Sequence, residues 1–173
     1  MFDAYFQFVL RRPVFAAVLI LEAGLAWVIY SNVARIDALT GMPILDMEIG
    51  YAHDRVNAIL GAYGPEAWDR YRLIMVADIL HPAVYASLFG ALAWSMAENL
   101  RWRLLSLTIL LAALFDWGEN VLIWRMTAAP LPVDADAAAA AGLLSLGKHG
   151  FLYGSLSVLV ILILRRAWRA IRV

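Results

Sequence analysis

Long, nearly unbroken apolar runs dominate the pattern of this chain, not the alternation of strands or the narrow stripe of a soluble helix. Four of them, at residues 13–30, 73–97, 104–124 and 143–164, suit a hydrocarbon layer of roughly 30 Å, which takes about 20 helical residues. The first carries Glu22, is longer than the apolar core of a signal peptide and is followed by no small-x-small cleavage site, so it reads as a retained span. Ahead of it, Met1–Leu10 mixes Phe2, Tyr5, Phe6 and Phe8 with Asp3 and Gln7, the pattern of a short interfacial helix.

Residues 31–72 and 126–142 separate the runs on one side. In the larger segment Ile49, Val56, Ile59 and Leu60 recur at helical spacing, and Gly61-Ala62-Tyr63-Gly64 ends the pattern. Pro65 suits the first turn of a new helix with Glu66 at its positive end. That helix is expected to run past Trp68 and Tyr71 into the second span. In the shorter segment, after Pro130 and Pro132, Asp134 suits the N-cap of a helix continuing into the fourth span. The predicted architecture is all-α: one membrane domain over residues 1–173, a polytopic four-transmembrane-helix bundle with an outer helical cap between spans 1 and 2. No internal repeat is present.

Composition strengthens this picture. The chain is 64% hydrophobic and 16% charged, with mean hydropathy +0.73, where a soluble domain is about half apolar and a quarter charged. A small soluble core cannot hold that excess; lipid can. Net charge is zero, which gives no reason to expect a nucleic-acid partner. The absence of cysteine excludes disulfides, thiol redox chemistry, iron–sulfur clusters and thiolate zinc sites. The expected partners are membrane lipids, with a homo-oligomer or a larger membrane complex as further candidates.

Charge asymmetry sets the expected orientation. The side with the termini and the turn at residues 98–103 holds Arg11, Arg12, Arg101, Arg103, Arg165, Arg166, Arg169 and Arg172 against Asp3 and Glu98. The other holds Arg35, Arg55, Arg70, Arg72 and Arg125 against eight carboxylates from Asp37 to Asp136. The positive-inside rule then places both termini in the cytoplasm of a bacterial-type inner membrane.

Ionisable groups inside the spans cost about 2.5–3.5 kcal/mol each on insertion scales, so each needs a reason. Counted from the outer ends at about 1.5 Å per residue, Asp78 and Glu119 lie roughly 8–9 Å deep, Lys148 about 8 Å, and Asp116 about 13 Å. Asp116, Glu119 and Asn120 share a stripe of the third span; Asp78, His81 and Tyr85 share one of the second. Pro82 cannot donate to the carbonyl of Asp78, so a kink with a freed acceptor is expected there. On the fourth span Lys148, Ser145 and Ser155 form a polar face, with Gly147, Gly150 and Gly154 as an adjacent smooth strip. His149 points largely away from that strip. Glu22 faces the middle of the membrane alone, and His53 beside Asp54 is expected to be solvated.

Phe115-Asp116-Trp117-Gly118-Glu119-Asn120, followed one helix later by Lys148, resembles an uncharacterised bacterial four-span membrane protein family with an F-D-x-x-E-N motif. Gly50-Tyr51, Gly61, Gly64, Tyr71, Asp78, Pro82 and Tyr85 are similar to the same group, over about residues 45–150. The resemblance implies a site and no particular reaction.

The favoured reading is a hydrated pocket, lined by Asp78, His81, Asp116, Glu119, Asn120 and Lys148 and open toward the outer face, that binds and in one version transforms an amphiphile or small polar ligand. Asp116 and Glu119 are the acid/base or cation-binding candidates, Lys148 the anion partner and His81 a proton carrier. Tyr85, Ser145 and Ser155 complete the ligand-binding candidates. Three carboxyls against one lysine leave a deficit met by protons, by a charged His81, by water or by a bound cation, and the metal candidates are Asp78, His81, Asp116 and Glu119. Whether catalysis occurs stays open. The alternatives are a structural subunit whose charges are glue between helices, cation- or proton-coupled transport by an oligomer, and a haem protein ligated by His81 and His149, disfavoured by the angle of His149 and the surrounding carboxylates.

Overall fold

A computed structural model describes residues 2–172. It is all-α, with no strand among the described residues. The helices, in chain order, are α1 (Phe2–Val9), α2 (Arg12–Thr40), α3 (His53–Gly61), α4 (Pro65–Ala77), α5 (His81–Met96), α6 (Leu100–Ser106), α7 (Thr108–Thr127) and α8 (Ala135–Ile171), with one 3-10 turn at Leu45–Met47.

Three helical stretches are long and apolar enough to cross a membrane: Arg12–Thr40, Leu100–Thr127 and Ala135–Ile171. A fourth crossing is available if α4 and α5, bent by 45° at the break between them, act as one. The apolar side chains of α2 are mostly not in the core: Ile20 is 72% exposed and Trp27 73%. Helices this apolar and this exposed need a non-aqueous surrounding.

The first candidate span is longer than the apolar run alone suggests. Nothing in residues 31–40 breaks a helix, so α2 continues until Gly41, whose φ of 64° ends it in the left-handed conformation. The loop that follows then starts at residue 41, not 31. At its centre Val56, Ile59 and Leu60 of α3 are buried as their spacing requires, but Ile49 lies outside the helix and is 56% exposed. Gly64 and Pro65 open α4. Asp134 caps α8, accepting from the Ala137 N–H at 2.7 Å.

The kink falls where Pro82 dictates. Helix α4 stops at Ala77, and α5 restarts at His81 with the proline in its first turn. Carbonyls freed at the break are taken by α7: Asn120 Nδ2 donates to the Asp78 carbonyl at 3.2 Å, and Trp117 Nε1 to that of Ile79 at 3.0 Å.

Helix α7 lies along α8, α2 packs on α4 and α5, and α5 also meets α7. The predicted glycine strip on α8 is only partly used. A Cβ at Gly147 would sit 2.3 Å from the Phe115 ring, whereas Gly150 and Gly154 face open space. One turn earlier, a Cβ at Gly142 would lie 2.0 Å from the Tyr51 carbonyl oxygen. Only glycine lets the connecting segment approach α8 that closely. At the far end Asp3 of α1 accepts from Trp94 Nε1 at 2.7 Å, and Glu98 pairs with Arg165 and Arg169.

Candidate functional site

The charged residues of α7 and the backbone of the 3-10 turn converge around Lys148 of α8. Its ammonium lies 2.6 Å from Glu119 Oε2 and 3.5 Å from Asp116 Oδ1, and donates to the backbone carbonyl of Asp46 at 2.9 Å. Tyr85 Oη donates to Asp116 Oδ2 at 3.1 Å, and Asn120 Nδ2 to Asp78 Oδ2 at 2.8 Å. Helical spacing explains the gathering: i, i+3 and i+4 residues on α7 face one way, and the α4–α5 break presents Asp78 and His81 at the same level.

Beside this cluster lies a cavity of about 550 Å³. Glu22, Asp46, Asp78, His81, Asp116 and Lys148 supply its charged surface. Apolar wall comes from Ala26 and Ile29 on α2, Phe89 on α5, and Leu152 and Leu156 on α8. Among the described residues α2 and α8 make no extended contact. Tyr30 of α2 and Tyr153 of α8, 63% and 54% exposed, also line the cavity.

Several positions differ from the sequence reading. Glu22 is not alone: His81 Nε2 lies 3.2 Å from its Oε1, and His81 Nδ1 lies 3.4 Å from Asp78 Oδ1. The histidine thus bridges two carboxylates on different elements. His149 does not turn away; it is buried, lines the cavity, and its Nδ1 lies 2.9 Å from the Ser145 carbonyl. The buried arc of α8 is wider than a single polar face, because α7 lies on one side of it and the connecting segment on another. Glu119 and Asn120 stand behind the cavity wall. Glu119 is fully buried between Lys148 and Tyr51, and Asn120 is spent on Asp78. Ser145 donates to the Glu48 carbonyl at 2.6 Å. Ser155, almost three turns further along, pairs with Thr108 at 2.8 Å and is no part of the site. His53 is not simply solvated: its Nε2 lies 3.0 Å from the Val133 carbonyl, tying α3 to the segment before α8.

Asp46 and Tyr51 were missed as site residues. Both belong to the irregular stretch between α2 and α3, which plunges into the end of the bundle. Tyr71 Oη donates to Asp46 Oδ2 at 2.9 Å, and Tyr51 Oη to Glu119 Oε1 at 2.9 Å. Burial, with the neighbouring Asp78 carboxylate second, pushes the Asp46 carboxyl up to about 6. The available signal was the polar run Asp46, Glu48, Tyr51 directly after Pro43, which has no helical period.

Among the described residues no set of three or more His, Asp and Glu side chains is arranged to hold a metal ion, so Asp78, His81, Asp116 and Glu119 do not form a ligand set. Both nitrogens of His81 face carboxylates, which leaves neither presented to a haem iron. Protein-family models, curated proteins and solved structures gave no match to this chain.

Proposed function

We propose that this chain is a four-span inner-membrane protein, with both termini cytoplasmic and the 41–64 cap outside, that takes an amphiphile sideways from the lipid into the charged cavity. The observation that carries this reading is the cavity's construction: a polar floor, apolar walls, and two apolar helices, α2 and α8, that make no extended contact and so leave room for a lateral mouth. A soluble ligand would need no such mouth. Lipid-facing apolar surface on α2 supports the membrane placement, and the arginine asymmetry supports the orientation. Asp116 and His81, each hydrogen-bonded and each facing the cavity, are the acid/base candidates if the bound molecule is also transformed.

The test is to purify the protein in a mild detergent and identify what organic solvent extracts from it by mass spectrometry. Ala26→Trp fills the cavity and leaves every charged side chain in place. An amphiphile enriched with the wild type and lost from Ala26→Trp is the expected result. Identical extracts from the two proteins would refute the reading.

A second reading, a structural subunit whose charges hold helices together, is favoured by one observation: Lys148 has three oxygen partners within the chain. His81, between Glu22 and Asp78, fits it too; what it leaves unexplained is the cavity that these residues line.

A further inference from the structure

The charged surface of the cavity is unequal in a way that selects a head group. Lys148 has three protons and three oxygens around it, on Glu119, Asp116 and the Asp46 backbone. Both nitrogens of His81 are directed at carboxylates. The third basic side chain of the wall, His149, has its Nδ1 on the Ser145 carbonyl at 2.9 Å, so Lys148 and His81 are occupied and His149 is engaged through one nitrogen. The opposite holds for acceptors. Glu22 keeps Oε2 buried without a hydrogen bond, and Asp116 Oδ1, on a side chain only 7% exposed, has no partner but the Lys148 ammonium at 3.5 Å. Both residues line the cavity. Five carboxyls, on Glu22, Asp46, Asp78, Asp116 and Glu119, stand against three basic side chains, on His81, Lys148 and His149, at this level of the bundle.

On the reading of the cavity as an amphiphile site, we infer that its ligand is a single-chain amphiphile with a primary ammonium head. An anionic head, phosphate or carboxylate, would bring negative charge to surplus carboxylates and find no free cation, with only the exposed Tyr30 and Tyr153 hydroxyls to donate; desolvating it there is unfavourable. A hydroxyl head donates one hydrogen bond and leaves the charge surplus in place. A primary ammonium donates up to three and supplies positive charge beside Glu22 and Asp116, where charge-assisted bonds are the stronger kind. The apolar wall formed by Ala26, Phe89, Leu152 and Leu156 receives the first part of the chain, and the mouth between α2 and α8 lets the remainder lie in lipid.

The full chain, reconstituted in phosphatidylcholine nanodiscs, is titrated with dodecylamine, dodecanol and dodecyl phosphate, with empty discs as reference. Affinity is read by calorimetry and by the rise in melting temperature that a bound ligand produces. Dodecylamine is expected to bind about tenfold or more tightly than dodecanol, and dodecyl phosphate to show nothing beyond empty discs. Glu22→Gln and Asp116→Asn should each reduce amine affinity about tenfold and dodecanol affinity far less. If Asp116→Asn does not fold, Glu22→Gln alone carries the comparison. Dodecanol or dodecyl phosphate binding as tightly as the amine, with Ala26→Trp abolishing it, overturns the head-group assignment and leaves the amphiphile cavity standing. No binding by any of the three overturns both.

Discussion

Tyr51 Oη donates to Glu119 Oε1 at 2.9 Å, joining the segment that follows α2 to the fully buried carboxylate of α7. Removing the hydroxyl leaves a buried acceptor with one partner fewer, a loss of about 1–3 kcal/mol. Tyr51→Phe should lower the melting temperature in detergent. An unchanged melting temperature would mean that Glu119 finds water in place of Tyr51.

Lys148→Met removes one partner of a buried ion pair whose side chains are 6% and 0% exposed. The uncompensated carboxylate should cost about 3–5 kcal/mol, seen as reduced yield and melting temperature. Adding Glu119→Gln should restore part of the loss, because the orphaned charge is then gone. A silent Lys148→Met would show that no such pair exists.

Asp46 gives a pH dependence of defined sign. Its carboxyl is raised from an ordinary 3.8 to about 6 in the folded protein, so the folded state keeps a proton that the unfolded chain has released. Stability from this group is fully present below about pH 4 and declines as pH rises through about 6. Melting temperatures measured across that window should fall with pH in the wild type. In Asp46→Asn, which retains an acceptor for Tyr71, the slope should flatten.

Orientation is tested by reporter fusions placed after Val173 and within residues 128–134. Opposite signals are expected, with the C-terminal fusion cytoplasmic. A periplasmic signal at Val173 inverts the topology and places the cavity in the inner leaflet.

The helical elements were legible because each rests on local chemistry: the apolar runs, Pro65, Pro82 and Asp134 act within their own turns. So was the gathering of Asp116, Glu119 and Lys148, since helical spacing aligns them. Asp46 was not, because its position depends on an aperiodic segment being admitted beside Gly142 at Tyr51, a contact between residues far apart in sequence. The partner of Glu22 was hidden for a related reason. A single carboxylate in an apolar run gives its depth, while its facing depends on how α2 rotates against α4 and α5. For His149 a helical wheel drawn on one polar face was too narrow for a helix with neighbours on two sides.

The break between α4 and α5 has a consequence for how this protein is made. In hydrocarbon the exposed carbonyls of Asp78 and Ile79 would each lack a partner, at a cost of several kcal/mol, and it is Asn120 and Trp117 of the next crossing that serve them. The bent segment and α7 are therefore expected to leave the translocation channel together, as a helical hairpin, with the bent segment held back until its neighbour has been synthesised. A chain cut after Met96 should fail to integrate where one cut after Thr127 succeeds.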